Sequence, residues 1–456
     1  MHSLKNYPNN TKFSQQANIM TQKQNSIKYF KGIIPLLIIV IINLSACDLL
    51  DVDNPNSLIE EDLNNPAAAP AIANGAEATL TRALGNLLAP YSTVTDELTW
   101  IGTRDAWLQL NQGYTLDPLN EFVDDAYSSL NEARWTADNA IGILEGFLQD
   151  GSLADNTALV RSYLYGAVVY LTVVDTFDNF VISDRQESGF PIGRQNLHRL
   201  IDTAVDYLNR GIELAADESD WENRLLAVRA RAHYSKALWE KLKPIVNLQN
   251  PLVANQRAAD DAREVLRRIG NENDWRFELI VNSTTAGNSM AFQVNERLEL
   301  RIGNAFVQPT SDNTRADFVT LQDPLDHIPA PNLVKEIEAF VASNQYANIP
   351  LISARELHLI IAEHEAAIGN TSGFSEAINT LRAIDDLSGY NGQIPETELI
   401  EYSRKVNLFL QGRRLADLYR FGKTSPQWNL SRVTSGAFFP ITNSEITSNP
   451  NVNFGD

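Results

Sequence analysis

Aromatic and polar side chains alternate in the stretch from residue 99 to residue 114. Trp100, Trp107 and Tyr114 lie among Thr, Gly, Arg, Asp, Gln and Asn residues, with Arg104 between the two tryptophans. An aromatic face can stack on the apolar face of a sugar ring, while charged and amide groups meet its hydroxyls. We therefore predict a ligand-binding surface at Trp100, Arg104, Trp107 and Tyr114, suited to an oligosaccharide or a peptide. The alternative is that the two tryptophans, seven residues apart, fill a core groove at helical spacing.

Catalytic signatures are absent from the sequence. It has no Gly-x-Ser-x-Gly elbow, no full Gly-x-x-x-x-Gly-Lys-Ser/Thr phosphate-binding motif and no His-Glu-x-x-His motif. His358 and His364 are six residues apart, which places them on different faces of a helix, so a shared metal is not expected. We predict a protein that is not an enzyme and that carries no cofactor and no metal. A glycan-acting hydrolase stays open as a lesser alternative, since a carboxylate pair has no sequence signature.

A signal for export and lipid attachment precedes the main part of the chain. Lys28 and Lys31 are followed by an apolar run that closes with Leu-Ser-Ala-Cys at Cys47, the only cysteine. The run is about half of the roughly 20 residues that a membrane-spanning helix needs, and such a pattern is typical of a secretory signal peptide. We predict that residues 1–46 hold a signal peptide whose translation starts at Met20, that this peptide is removed, and that Cys47 is acylated. The acidic stretch 47–65 then forms a tether to the membrane.

The charge of the chain excludes one class of partner. The formal net charge is −20, and the first 46 residues hold five lysines and no acid, so the mature chain is more negative still. Such a balance repels phosphate backbones. Nucleic acid is therefore not expected as a partner.

Apolar residues recur at steps of three and four through most of the mature chain. This period predicts amphipathic helices. The predicted stretches are Ala67–Leu88, Leu119–Leu148, Thr157–Val174, Leu197–Ile212, Trp221–Leu242, Ser353–Ile368 and Phe374–Ile384. Helices separated by short turns are typical of tetratricopeptide-type hairpins, which stack because none buries its apolar face alone. We predict a mainly α body from residue 66 to residue 456.

The helical period fades between about residues 274 and 331. β-branched and aromatic residues are punctuated there by Asn, Ser, Thr and Gly, notably in residues 275–281 and 290–302. This composition predicts short strands and loops. We expect this insertion to form one wall of a binding site, because rigid scaffolds commonly carry function on their loops.

Three C-terminal stretches carry recognisable motifs: the helix with Ala-Glu pairs near residues 353–363, the Gly-x-Arg-x-x-Asp-Leu-x-Arg run at 412–420, and the closing Pro-Ile-x-x-x-Glu-Ile-x-x-Asn-Pro run. The motif residues are Glu356, Glu363, Gly412, Arg414, Asp417, Arg420, Pro440, Glu445, Asn449 and Pro450. These stretches resemble motifs of the SusD/RagB family, and the stretch from Cys47 to Pro55 also fits. We interpret them as structural, and Arg414 and Asp417, three apart on one helix face, can pair with each other or cap a neighbour.

The chain also departs from these motifs. Ser403, Asn407 and Gln411 stand where the family usually has Glu, and Thr442 replaces a proline. These differences remove expected ion-pair partners for Arg404, Arg413 or Arg414. They make transfer of a ligand by analogy unsafe.

The resemblance implies a SusD-like fold and a surface lipoprotein of the outer membrane. It further implies capture of an oligosaccharide or peptide and delivery to a TonB-dependent SusC-like transporter. The helical repeats would pack on that transporter. The alternative is an envelope adaptor that binds proteins but no small ligand.

Overall fold

The structure is a computed structural model that describes residues 63–184, 187–217, 219–271, 273–284, 286–308 and 318–455. The predicted signal peptide, Cys47 and most of the tether lie outside these residues. The described body contains the following helices: α1 (Ala69–Thr93), α2 (Asp105–Asn111), α3 (Glu121–Gln149), α4 (Thr157–Thr176), α5 (Arg199–Leu214), α6 (Asp220–Leu242), α7 (Gln256–Ile269), α8 (Pro331–Ala342), α9 (Ala354–Ala367), α10 (Thr371–Ala383), α11 (Glu396–Asn407), α12 (Arg414–Arg420) and α13 (Asn443–Ser448).

Within the described residues, the body is built from four helix pairs. Helix α1 packs on α3, α4 on α5, α6 on α7, and α9 on α10. Successive pairs contact each other through α3 and α4, α5 and α6, and α7 and α9, so their apolar faces join in one continuous core. The mainly α fold with tetratricopeptide-type helix pairs is confirmed.

The pairing differs from the simplest reading of the sequence in one respect. Helix α5 packs more extensively on α4 than on α6, and α6 takes α7 as its main partner. Helix α7 has no clear apolar period in the sequence, because most of its buried positions are alanines (Ala258, Ala259 and Ala262) among many charged residues.

Side-chain caps fix where several helices begin. The Ser353 hydroxyl accepts a hydrogen bond from the backbone N–H of Glu356 at the start of α9, 3.2 Å away. Asn370 does the same for Gly373 in α10. Such caps satisfy backbone donors that have no partner within the helix. The turn between α9 and α10 is therefore shorter than predicted, since Thr371, Ser372 and Gly373 belong to the first turn of α10.

The strands are short and lie mostly in the predicted insertion. They are β1 (Leu98–Trp100), β2 (Arg276–Leu279), β3 (Leu300–Ile302), β4 (Val307–Gln308), β5 (Phe318–Val319) and β6 (Ile349–Ser353). They form the antiparallel pairs β1–β3, β2–β6 and β4–β5. Residues 289–296 are helical, so only the end of the predicted stretch 290–302 is a strand. The insertion reaches back to the helical body through β1 and β6.

Helix α4 is long and apolar enough to cross a membrane by length and composition. However, 83% of its most apolar 18-residue stretch is buried inside the body. Because neighbouring helices cover it on nearly all sides, it is a core helix here.

Candidate functional site

Strand β1 and helix α2 position the predicted ligand-binding residues. The backbone N–H of Trp100 donates to the side-chain oxygen of Asn111 on α2, 3.0 Å away. Glu299 holds the connecting loop, since its carboxylate accepts hydrogen bonds from the backbone N–H groups of Thr103 (2.9 Å) and Arg104 (3.3 Å). Burial alone would raise the pKa of Glu299, but these hydrogen bonds outweigh it and lower the pKa below its ordinary value. The loop is thus fixed against β3.

Trp107 is a core residue in this structure. Its side chain is 1% exposed and stacks on Phe122, with 3.6 Å between ring centroids and 15° between ring planes. The Arg104 guanidinium lies 4.6 Å from the Phe122 centroid and pairs with Glu121 at 2.8 Å. This placement favours the core alternative for Trp107, and its effect on a ligand would pass through the surface that it supports.

Trp100, Arg104 and Tyr114 are at least partly exposed. The guanidinium of Arg432 lies 5.0 Å from the Tyr114 ring centroid, so the C-terminal segment adds a cation beside this aromatic residue. Arg432 is far away in sequence and nothing in its neighbourhood marks it as a site residue. We call Trp100, Arg104, Tyr114 and Arg432 the β1–α2 surface.

The residues of the C-terminal motifs form a cluster of buried charges. The Arg420 guanidinium, 0% exposed, pairs with Glu363 and donates to Asp417 at 2.9 Å. Arg404 donates to Asp417 from the opposite element, also at 2.9 Å, and the Tyr234 hydroxyl donates to Glu363 at 2.8 Å. We call Tyr234, Glu363, Arg404, Asp417 and Arg420 the buried charge cluster.

The two carboxylates and two guanidinium groups of the buried charge cluster cancel in formal charge. Burial alone would raise the pKa of Asp417, but Arg404 and Arg420 outweigh it and hold the pKa below its usual range. The cluster ties α9, α11, α12 and α6 together. These side chains are inaccessible to a ligand, and we propose that Glu363, Asp417 and Arg420 have a structural role.

Arg414 and Asp417 do not pair with each other. Arg414 makes a bidentate pair with Asp96, at 2.7 and 2.9 Å, and a third bond to Glu401 at 2.9 Å. Arg404 was expected to lack an ion-pair partner, but it pairs with Asp417. Both corrections have the same reason: the partners come from other elements, and Asp96 lies at the other end of the chain.

The remaining motif residues also make structural contacts. Glu356 forms a buried bidentate pair with Arg231 of α6, and Arg413 lies 3.8 Å away. In the closing motif, the Asn449 side chain donates to the carboxylate of Glu445 (2.7 Å) and to the backbone oxygen of Gly189 (3.0 Å). Pro440 is half-buried and Pro450 is exposed. The motif thus anchors the last helix to the 187–190 loop.

Gly412→Ala is expected to lower the free energy of unfolding by about 1–2 kcal/mol. Gly412 has a φ of +72°, and an added Cβ would lie 3.1 Å from Cδ2 of Leu88. Because residues with a side chain rarely adopt this conformation, alanine strains the turn before α12. Urea unfolding monitored by circular dichroism measures the change.

Gly142→Ala is the matched control for this substitution. Gly142 lies in α3 and an added Cβ there meets nothing within 4 Å. Alanine at this position should stabilise the protein by about 0.5–1 kcal/mol, because glycine is a poor helix former. Equal effects of the two substitutions would contradict the strain at Gly412.

The two helical histidines do not converge. The His358 ring Nε2 lies 2.9 Å from the backbone oxygen of Asn271, and that of His364 lies 3.1 Å from Oε1 of Gln256. Among the described residues, no group of three or more His, Cys, Asp or Glu side chains is placed to hold a metal ion.

The described body thus combines stacked helix pairs, a short-strand insertion and a buried charge cluster at the C-terminal motifs. The fold is similar to those of solved SusD superfamily proteins. One from Parabacteroides distasonis has a TM-score of 0.61 at 13% identity, covering 88% of this chain and 100% of that one. One from Bacteroides fragilis has a TM-score of 0.60 at 13% identity, covering 86% and 99%.

A protein from Bacteroides vulgatus described as a putative sugar binding protein is also similar, with a TM-score of 0.58 at 13% identity, covering 85% of this chain and 97% of that one. No known family model and no curated protein gave a sequence match to this chain. The chain therefore has a SusD-like fold, as its motifs predict, at 13% sequence identity to these structures.

Proposed function

We propose that this protein is a surface lipoprotein that captures oligosaccharides and delivers them to a TonB-dependent SusC-like transporter. The observation that carries the proposal is the similarity to SusD superfamily structures over nearly their whole length. The Bacteroides vulgatus protein described as a putative sugar binding protein has a similar fold. Peptides are the second ligand class to test, since aromatic and polar groups serve both.

The proposed location rests on the sequence before the described body. The Leu-Ser-Ala-Cys47 segment follows an apolar run, and the acidic tether then leads into α1. A lipid on Cys47 would hold the body at the outer membrane while leaving its surface free. Metabolic labelling with a fatty-acid analogue tests this, and a Cys47→Ser protein that stays membrane-bound would contradict it.

The proposed activity is binding without bond cleavage. The β1–α2 surface supplies two aromatic residues and two guanidinium groups, and Glu299 holds the loop that carries Arg104. Such a surface can hold sugar rings by stacking and hydroxyls by hydrogen bonds. A glycan and peptide array on the purified protein identifies the ligand class. Protein partners without any bound glycan or peptide would favour the adaptor alternative.

Trp100→Ala is expected to weaken ligand binding about tenfold, because one aromatic contact of this kind contributes roughly 1.4 kcal/mol.

Trp107→Ala should instead lower the free energy of unfolding by about 3–5 kcal/mol, because Trp107 is buried against Phe122. Isothermal titration and thermal unfolding measure the two effects.

Trp239→Ala is the control, since this half-buried tryptophan lies on α6 and outside the β1–α2 surface. Its ligand affinity should match that of the unmodified protein. An unchanged affinity after Trp100→Ala would remove the β1–α2 surface as the binding site.

A further inference from the structure

A second opening lies beside the insertion. This cleft of about 370 Å³ lies between the β2–β6 strand pair, α8 and the residues Asn288 and Met290, with Phe409 and Leu410 also lining it. Its volume is in the range of about 300–1,000 Å³ that is typical of ligand pockets. We call it the Arg276 cleft. It is lined by other residues than those of the β1–α2 surface.

The charges in the Arg276 cleft do not balance. Among the described residues that line it, the charged side chains are Arg276, Glu278 and Glu336, which leaves one negative charge. Arg276 makes a bidentate pair with Glu336 and one hydrogen bond of 3.2 Å to Glu278. Arg276 thus compensates Glu336 more fully than Glu278.

Glu278 retains the capacity to bind a further donor. One of its oxygens accepts from Arg276 and the other from the Asn348 amide, each at 3.2 Å. A carboxylate has about four acceptor positions. Its side chain is 24% exposed, so a ligand in the cleft can reach it.

The rest of the lining combines an apolar floor with a polar rim. The floor consists of buried residues: Leu88, Met290, Phe340, Phe409 and Leu410. The rim includes Ser343, Asn348 and Tyr346, which is 38% exposed. An aromatic ring beside a surplus carboxylate suits a cation carried on a compact apolar or ring-shaped group.

We propose that the Arg276 cleft binds a saccharide that carries a protonated amine, with the ammonium group on Glu278. The inference rests on the proposed function, since it names a class of glycan within it. The carboxylate of Glu278 accepts from the ammonium, while Asn348 and Ser343 offer amide and hydroxyl groups to the sugar hydroxyls. A neutral sugar of the same shape lacks the ionic contact.

The test compares two oligosaccharides that differ at one group. The full mature chain in detergent is titrated with glucosamine tetramer and with its fully N-acetylated counterpart at a pH that keeps the amines protonated. We expect tighter binding of the amine form, weakening with added salt. Glu278→Gln should reduce its affinity about tenfold, because hydrogen bonds between charged groups are strong, and should leave the acetylated form unchanged.

Glu338→Gln is the matched control, because Glu338 lies on the same helix as Glu336, is exposed and does not line the cleft. Equal affinities for the two tetramers, or an unchanged affinity after Glu278→Gln, would overturn the proposal. A lysine tetrapeptide that binds in a Glu278-dependent way while the glucosamine tetramer does not would overturn the saccharide assignment.

Failure of the general function gives a different result. If neither neutral nor charged glycans bind the unmodified protein, carbohydrate capture itself is wrong. If neutral glycans bind in a Trp100-dependent way while the amine adds nothing, only the assignment of the Arg276 cleft is wrong.

Discussion

Arg420→Leu is expected to lower the free energy of unfolding by about 3–5 kcal/mol. Arg420 is 0% exposed and contacts both Glu363 and Asp417. Removing its guanidinium leaves two buried carboxylates facing Arg404 as the one remaining cation of the buried charge cluster. An uncompensated buried charge is strongly destabilising, since the interior solvates it poorly. Denaturant unfolding followed by circular dichroism measures the change.

A surface ion pair provides the control. Arg82 pairs with Glu132 at 2.6 Å, with 48% and 49% of the two side chains exposed. Arg82→Leu should change the free energy of unfolding by less than about 1 kcal/mol, because water screens such pairs. Similar effects of Arg82→Leu and Arg420→Leu would show that the buried charge cluster does not hold α9, α11 and α12 together.

The helical elements could be predicted from sequence because their signal is local. The apolar period gave α1, α3 to α6, α9 and α10 within a few residues of their observed bounds. Helix α7 was missed because alanine carries little apolar signal between charged residues. Strand β1 was missed because three residues are too short for a periodic pattern, although its partner β3 lies in the predicted insertion.

The partners of the motif residues could not be predicted, because they are set by packing between distant elements. Asp96 precedes β1 and pairs with Arg414 of α12, and Tyr234 of α6 reaches Glu363 of α9. Spacing along a helix suggested a pair between Arg414 and Asp417 that does not form. The same limit applies to the β1–α2 surface, where Arg432 joins Tyr114 and where Trp107 points into the core.

Glu97, next to Asp96 in the chain, is a buried carboxyl group whose pKa is raised, whereas the pKa of Asp96 is lowered. Glu97 is 1% exposed, and one of its oxygens accepts a hydrogen bond from the backbone N–H of Leu410 at 2.7 Å. Among the described residues its other oxygen, Oε2, has no hydrogen-bond partner. Burial raises the pKa of Glu97 to about 7, and the nearby Asp96 adds to the effect while the hydrogen bond from Leu410 opposes it.

The direction of the pH dependence follows from this shift. The ordinary pKa of Glu is 4.5, so between about pH 4.5 and 7 the folded state holds a proton that the unfolded state releases. This carboxyl group therefore destabilises the fold increasingly as pH rises through that window. Above about pH 7 the full penalty applies, and it is of order 3 kcal/mol for a shift of this size.

Glu97→Gln is expected to raise the free energy of unfolding at pH 8 by roughly 1–3 kcal/mol and to leave it nearly unchanged at pH 4.5. Glutamine keeps an oxygen for the Leu410 N–H and cannot ionise.

Asp96→Asn should act in the opposite direction at neutral pH. Although burial alone would raise the pKa of Asp96, its pairing with Arg414 outweighs this and lowers the pKa, so its ionised form stabilises the fold. Denaturant unfolding from pH 4.5 to 8 measures both, and a Glu97→Gln protein with an unaltered pH profile would show that Glu97 is ionised without penalty in the folded state.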